Sequence, residues 1–338
     1  MNILIVRLGA LGDIIHAVPA AAALRAAYPD ARIDWLVDVK HRAMVDLVTV
    51  VDRVVTLEHR SMAGWIDAAS VLRRVRYDAA VDFQGLLKSA VLARMSGATR
   101  VLGFSIWHLR EKTARPFYSE TNASPGELER DGHVIYKNLR LLRPLGVEDQ
   151  TVRFPLAHSE SPALAALRAT LGDNVPFALI NPGAAWPNKR WPTERYGEVC
   201  AFLRDVRGLQ PFVLWGPGEE PLAQEVVDRS SGAARLAPPT ELPDLLELAR
   251  AAAVMISGDT GPLHIATAAG TPTVGIFGPT DPDRNGPWAP DDVAVSRFAA
   301  CGCHYDRRCH ESSWCLNTVT VSEVTAAIQH RLAHTRHV

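Results

Sequence analysis

Several stretches of the chain place chemically able residues just beyond apolar runs. The densest spans 257–288, SGDTGPLHIATAAGTPTVGIFGPTDPDRNGPW. Ala253 to Ile256 lead into it without polar alternation, the pattern of a buried parallel strand. Asp259 and Thr260 then suit a helix N-cap, and Pro262 falls in the first turn, where a missing N–H costs nothing. Strand, glycine turn and helix start bring unpaired backbone N–H groups to the positive end of a helix dipole, with Gly261 and His264 beside it. That point suits a phosphate or diphosphate; a plain capped βα turn has the same outline. In NPGAAWPNKRWP (181–192), Lys189 and Arg190 follow another strand, where they either reach phosphates or face solvent. Glu219 and Glu220 follow the apolar run 211–215. An acid there can accept from ribose hydroxyls, and equally it favours the next helix N-terminus.

Asp13 stands where the first strand's turn, RLGALGD, meets a helix. It reads either as an N-cap or as a carboxylate at a strand's carboxyl end, where ligands bind in open α/β sheets. The turn is not GxGxxG, so a dinucleotide fingerprint is not supported. Cys301, Cys303, Cys309 and Cys315 fall within fifteen positions, with His304 and His310 among them. Their spacing leaves open a structural zinc or iron knuckle and an unmetallated loop of packed thiols, although C-x-C is tighter than the usual knuckle. No cysteine stands apart with a histidine, so redox or nucleophilic work is not expected.

The elements that must position these residues alternate in type. The patterns predict strands over 2–6, 32–37, 53–57, 79–83 and 100–104, with helices from about Ile14 and over 61–75, 86–95 and 127–142. The second half repeats the scheme, with strands over 177–180, 211–215, 253–256 and 273–277. Its helices are expected over 193–206, 240–252 and from 262, and an amphipathic helix over 321–332 closes the chain. Such alternation predicts parallel sheets covered on both faces. The weakly periodic stretch 146–162 marks the boundary, giving domains 1–155 and 156–320 and a final helix 321–338. Arg60, Lys88, Arg110, Lys112 and Arg115 gather on the loops and helix starts of the first half. Each is an ordinary surface charge alone, and together they could hold an anionic partner.

With 338 residues, net charge −1 and 47% apolar residues, the chain is long enough for two cores and is no typical nucleic-acid binder. No apolar stretch reaches the length of a membrane span, and Met1 to Val6 is no signal peptide. The expectation is a cytoplasmic protein with reduced thiols.

Six segments, in order and nearly end to end, resemble the ADP-heptose:lipopolysaccharide heptosyltransferases of glycosyltransferase family 9, and within them the heptosyltransferase I branch. They are LGALGDIIHAVPA (8–20), DFQGLLKSA (82–90), REKTARPFY (110–118), NPGAAWPNKRWP (181–192), WGPGEE (215–220) and SGDTGPLHIATAAGTPTVGIFGPTDP (257–282). The resemblance implies an α/β GT-B fold of two Rossmann-like, doubly wound parallel-sheet domains facing across a cleft. The first would take the acceptor and the second the nucleotide-sugar. It implies an inverting, metal-independent transfer of heptose from ADP-heptose to the Kdo/inner-core region of lipopolysaccharide, without cofactor or DxD site. The acceptor would be an anionic, Kdo-modified lipid A reached at the inner face of the inner membrane. Position by position, Asp13 matches the general base and Lys189 the lysine on the donor phosphates. Glu219 or Glu220 matches the acid on the ribose, and Asp259, Thr260, Gly261 and His264 the donor motif. Arg60, Lys88 and Arg110 fit the anionic acceptor. Trp186 stands where the branch can carry hydroxyl residues. Two other readings remain beside this one. One is a heptosyltransferase with a different acceptor (a second core heptose, a protein or a small molecule). The other is a Rossmann epimerase or oxidoreductase using Asp34 or Asp38 on a ribose, against which the missing GxGxxG argues.

Overall fold

The computed structural model describes residues 1–121 and 132–334. Among them the strands form two all-parallel, six-stranded sheets, one in each of two compact units, Met1–Ala157 and His158–Val338. In the first, β1 (Asn2–Val6), β2 (Arg32–Asp38), β3 (Arg53–Leu57), β4 (Ala79–Asp82), β5 (Arg100–Gly103) and β6 (Glu120–Thr121) take the order β3-β2-β1-β4-β5-β6. In the second, β7 (Phe177–Asn181), β8 (Gln210–Val213), β9 (Arg235–Leu236), β10 (Val254–Gly258), β11 (Thr273–Phe277) and β12 (Val293–Ser296) take the order β12-β11-β10-β7-β8-β9. Helices covering both faces of a parallel sheet leave its central strands without a wet side. Accordingly β7, β10 and β11 are buried along their whole length, as the unalternating apolar runs predict.

Each order reverses once, between β1 and β4 and between β10 and β7. Connections leave in opposite directions there, so the carboxyl ends of those strands open a crevice. Asp13 follows β1; Lys189 follows β7, and Asp259 to His264 follow β10. Topology alone therefore carries these residues to the crevice positions of their own sheets.

The first helix differs from expectation. It runs as two pieces, Leu11–Ile15 and Val18–Ala27, with Pro19 in the first turn of the second. Proline has no N–H for the preceding turn, so the chain breaks at His16 and Ala17 and restarts. The helix Met62–Leu72 begins at Ser61, whose hydroxyl accepts the Gly64 N–H at 3.3 Å. Of the expected helix 127–142, residues 127–131 lie outside the described residues, and the described part is Val134–Arg140. The final helix, Val321–Ala333, buries Val324, Ala327 and Ile328 in the second unit's core with Val199, Leu203 and Leu316. No described helix is long and apolar enough to cross a membrane.

Candidate active site

In the second unit the site is built at the β10–β7 reversal. Asn181, the last residue of β7, stands in direct register with Ser257 near the end of β10, and Asn181 Nδ2 reaches Ser257 Oγ at 3.0 Å and Thr260 Oγ1 at 3.0 Å. Thr260 is the N-cap residue of the helix Gly261–Ala268, but its side chain makes no cap hydrogen bond. The expected capping by this threonine is thus not its role; its hydroxyl ties the two strand ends together instead. The helix start keeps its partial positive charge without a hydrogen bond to its N-cap side chain.

Around that start, Lys189 Nζ lies 2.5 Å from Asp259 Oδ2, His264 Nε2 lies 3.2 Å from Asp259 Oδ1, and Asn285 Nδ2 donates to the same oxygen at 3.1 Å. Asp259 and His264 are buried. Burial is the largest single influence on the Asp259 carboxyl and raises its pKa. The hydrogen bonds and charges of His264 and Lys189 together outweigh it and hold the group well below the usual carboxylate range. The aspartate therefore stays ionised and fixes two side chains over the helix start. Trp186 supports the lysine from another side, with Nζ 4.5 Å from its ring centroid.

The two glutamates at the end of β8 separate in space. Glu219 leans against the β7 loop so closely that a Cβ on Gly183 would meet its Oε2 at 2.3 Å, and Arg190 Nη2 stands 3.9 Å from its Oε1. Glu220 is exposed in the first turn of the helix Glu220–Arg229, as a helix-start acid would be. Of the two, Glu219 lies against the loop that carries Lys189. The second unit thus brings together Lys189, Asp259, Thr260, Gly261 and His264, with Glu219 against a neighbouring part of that loop.

In the first unit, Asp13 sits in the short helix after β1, with its side chain 41% exposed. Arg7 Nη2 reaches its Oδ2 at 2.6 Å, and the Ala10 N–H donates to the same oxygen at 3.2 Å. Both contacts fall on Oδ2. Arg7 is itself buried and donates to the Phe83 carbonyl at the end of β4. Beside it, a Cβ on Gly9 would come within 2.7 Å of the His41 ring, so only glycine fits this turn. Burial, followed by the neighbouring Lys40 charge, pushes the His41 pKa down.

Arg60 Nε pairs with Asp38 Oδ2 at 2.8 Å, and burial followed by the Arg60 charge pushes the Lys88 pKa down. Arg110 is exposed on the loop after β5, whose Glu111 takes the Leu87 N–H at 2.7 Å, one residue from Lys88. Asp34, the ribose acid of the dehydrogenase reading, is fully buried and occupied by Tyr77 Oη at 2.6 Å and Arg32 Nε at 2.9 Å. Asp38 is held by Arg60. Sequence reasoning assigned no role to Arg7, Asn181 or Asn285. A strand-end arginine six residues before the aspartate was the one available signal for Arg7; Asn285 lies 26 positions from Asp259 and gave none.

Paired doubly wound sheets with polar clusters at both reversal points define a two-unit α/β protein of the doubly wound class. The model of glycosyltransferase family 9 (heptosyltransferase) matches residues 66–315, and the chain belongs to that family. It is a glycosyltransferase. It is 28% identical over 322 residues to "Lipopolysaccharide heptosyltransferase 1" of Pseudomonas aeruginosa, covering 91% of this chain and 87% of that protein. The fold matches a glycosyltransferase family 9 structure from Veillonella parvula with a TM-score of 0.80 and 21% identity, covering 99% and 97% of the two chains. It also matches the E. coli heptosyltransferase WaaC with ADP-2-deoxy-2-fluoro heptose, with a TM-score of 0.73 and 22% identity over 97% and 99% of the chains. These likenesses place both sheets in the GT-B architecture.

Proposed function

We propose that the protein transfers heptose from ADP-heptose to the Kdo region of the lipopolysaccharide inner core, with inversion at the anomeric carbon. The observation that carries the donor half is the Lys189–Asp259–His264 cluster over the uncapped start of the helix Gly261–Ala268. A diphosphate seated there meets the helix dipole and the Lys189 ammonium, which stabilise the charge that develops as ADP departs. Glu219 is placed to accept from ribose hydroxyls. WaaC of E. coli has been described with an ADP-heptose analogue, which supports the same donor here.

Asp13 is the general base. Its Oδ1 takes the acceptor hydroxyl proton as that oxygen attacks the anomeric carbon and the bond to the ADP phosphate breaks on the opposite face. The transition state is oxocarbenium-like, and proton removal of this kind contributes typically ~10²–10⁴-fold. Arg7 holds the carboxylate's other oxygen in place. The charge on the leaving group is met by protein groups, so the reading requires no divalent cation.

The acceptor half rests on Arg60, Lys88 and Arg110, which suit the carboxylates and phosphates of a Kdo-modified lipid A. Met62 and Trp107, each 70% exposed and close in sequence to Arg60 and Arg110, suit a protein working against the inner face of the inner membrane. The relative from Pseudomonas aeruginosa carries the heptosyltransferase 1 name, which favours the first heptose over later ones. A radiolabelled ADP-heptose assay with Kdo₂-lipid A and with heptosylated core as rival acceptors tests this reading. Transfer to Kdo₂-lipid A alone, giving an α-linked product from a β-linked donor, is expected. Transfer to heptosylated core instead would overturn the acceptor, and retained anomeric configuration would overturn the mechanism.

A further inference from the structure

In the cysteine-rich segment after β12, Cys303 Sγ lies 3.1 Å from Cys309 Sγ, and the Cys303 N–H donates to Cys301 Sγ at 3.4 Å. Among the described residues no group of three or more histidine, cysteine, aspartate and glutamate side chains is arranged to hold a metal ion. The close contact of Cys303 with Cys309 is the arrangement that needs an explanation.

The thiols differ chemically. The contact with Cys309, then the His310 N–H donated to Cys303 Sγ at 3.2 Å, hold the Cys303 thiol below its ordinary value. Burial, followed by the same contact, pushes Cys309 up. Burial also pushes Cys315 up to about 12, which keeps that thiol protonated and unreactive. Cys303 is buried and Cys309 half-buried, so access is confined to small oxidants.

We propose that Cys303 and Cys309 are a peroxide-sensitive dithiol that closes reversibly to an intrachain disulfide. The Cys303 thiolate attacks one oxygen of hydrogen peroxide, breaking the O–O bond to give a sulfenic acid and hydroxide. The Cys309 sulfur then displaces the sulfenic oxygen and its proton goes to the departing hydroxide. Two thiols and one peroxide thus become one disulfide and two waters. The sulfurs must approach from 3.1 Å to about 2.05 Å. A dithiol reductant restores the pair by exchange.

Closure would fix residues 304–308, which pack against the two donor-side loops. The Asp306 carbonyl accepts from Asn188 Nδ2 at 2.9 Å, beside Lys189, and the Tyr305 N–H donates to the Pro279 carbonyl at 2.8 Å. Arg307 lies 5.9 Å from the Trp186 ring centroid. Residues 305–307 therefore touch both the loop after β7 and the loop after β11.

Full-length protein, purified reduced, is treated with one equivalent of hydrogen peroxide and mapped by peptide mass spectrometry without reduction. The expected product is two hydrogens lighter, carries a Cys303–Cys309 link, and reverts with dithiothreitol. The variant Cys309→Ser is expected to stop at a sulfenic acid on Cys303, trapped by a dione probe, whereas Cys301→Ser still forms the link. Three results would overturn the proposal: no linked peptide in the wild-type chain, a Cys301–Cys315 link formed in preference, or stoichiometric zinc or iron that shields the thiols until chelated. The wild-type map decides without relying on any variant's folding.

Discussion

Asp259 is the residue on which the Lys189–Asp259–His264 cluster turns, because it compensates Lys189 and orients His264 at once. Removing one partner of a buried charged pair leaves the other uncompensated, which typically costs about 3–5 kcal/mol. Asp259→Asn, which keeps the shape, is therefore expected to lower the unfolding free energy by about 3 kcal/mol and to weaken ADP binding. Chemical denaturation measures the first and calorimetric titration the second; an unchanged denaturation midpoint would contradict the role. The pH dependence has a definite sign. The folded-state pKa of Asp259 lies below its ordinary value of 3.8, so its stabilisation is fully present above that pH and is lost as pH falls further. Its partners were legible in part. Lys189 and His264 stand in stretches whose composition already suggested phosphate chemistry. Asn285 and the Arg7 contact to Asp13 depend on loop paths that no local pattern encodes.

The elements show the same division between local and tertiary causes. Long, fully buried runs such as 177–181, 254–258 and 273–277 announce themselves, because a strand covered on both faces must be apolar throughout. The two-residue β6 and β9 and the half-exposed β12 carry no such signature, since neighbouring strands define them. The break before Pro19 was not anticipated, although a proline without an N–H is the residue that causes it. Two element-level substitutions test the packing. At Gly183 a Cβ would collide with the Glu219 carboxylate, so Gly183→Ala is expected to raise the KM for the nucleotide-sugar several-fold with little loss of stability; an unchanged KM would remove Glu219 from the donor site. At the start of the final helix, Glu323 pairs with Arg297 at 2.7 Å and accepts from the Thr320 N–H at 2.8 Å, which lowers its pKa from 4.5 to about 2. Its folded pKa lies below the ordinary one, so wild-type stability from this group is lost as pH falls from 4.5 towards 2. Glu323→Gln is expected to cost about 1 kcal/mol at neutral pH and to lack that part of the acid dependence. Thermal melts between neutral and acid pH compare the two chains.

At the scale of the whole molecule, two sheets of matching design carry different chemistry at equivalent places. Both use the strand-order reversal, yet one presents an arginine-held carboxylate and the other a lysine–aspartate–histidine cluster over a helix start. The two-fold grammar of strand and helix was visible along the sequence, and so was the character of each reversal loop. A nucleotide that binds only the folded second unit stabilises it by mass action, about 2.7 kcal/mol at a hundred times its Kd. ADP is therefore expected to raise the melting temperature in proportion to the logarithm of its concentration, and a melting temperature indifferent to ADP would remove the donor site. The most direct test of the account as a whole is the single-turnover rate of heptose transfer to Kdo₂-lipid A by Asp13→Asn, measured alongside its affinity for ADP-heptose. The expected result is a rate lower by about 10²–10⁴-fold with donor affinity unchanged. A rate within a few-fold of the wild-type protein at equal donor affinity would contradict the assignment of Asp13 as the base.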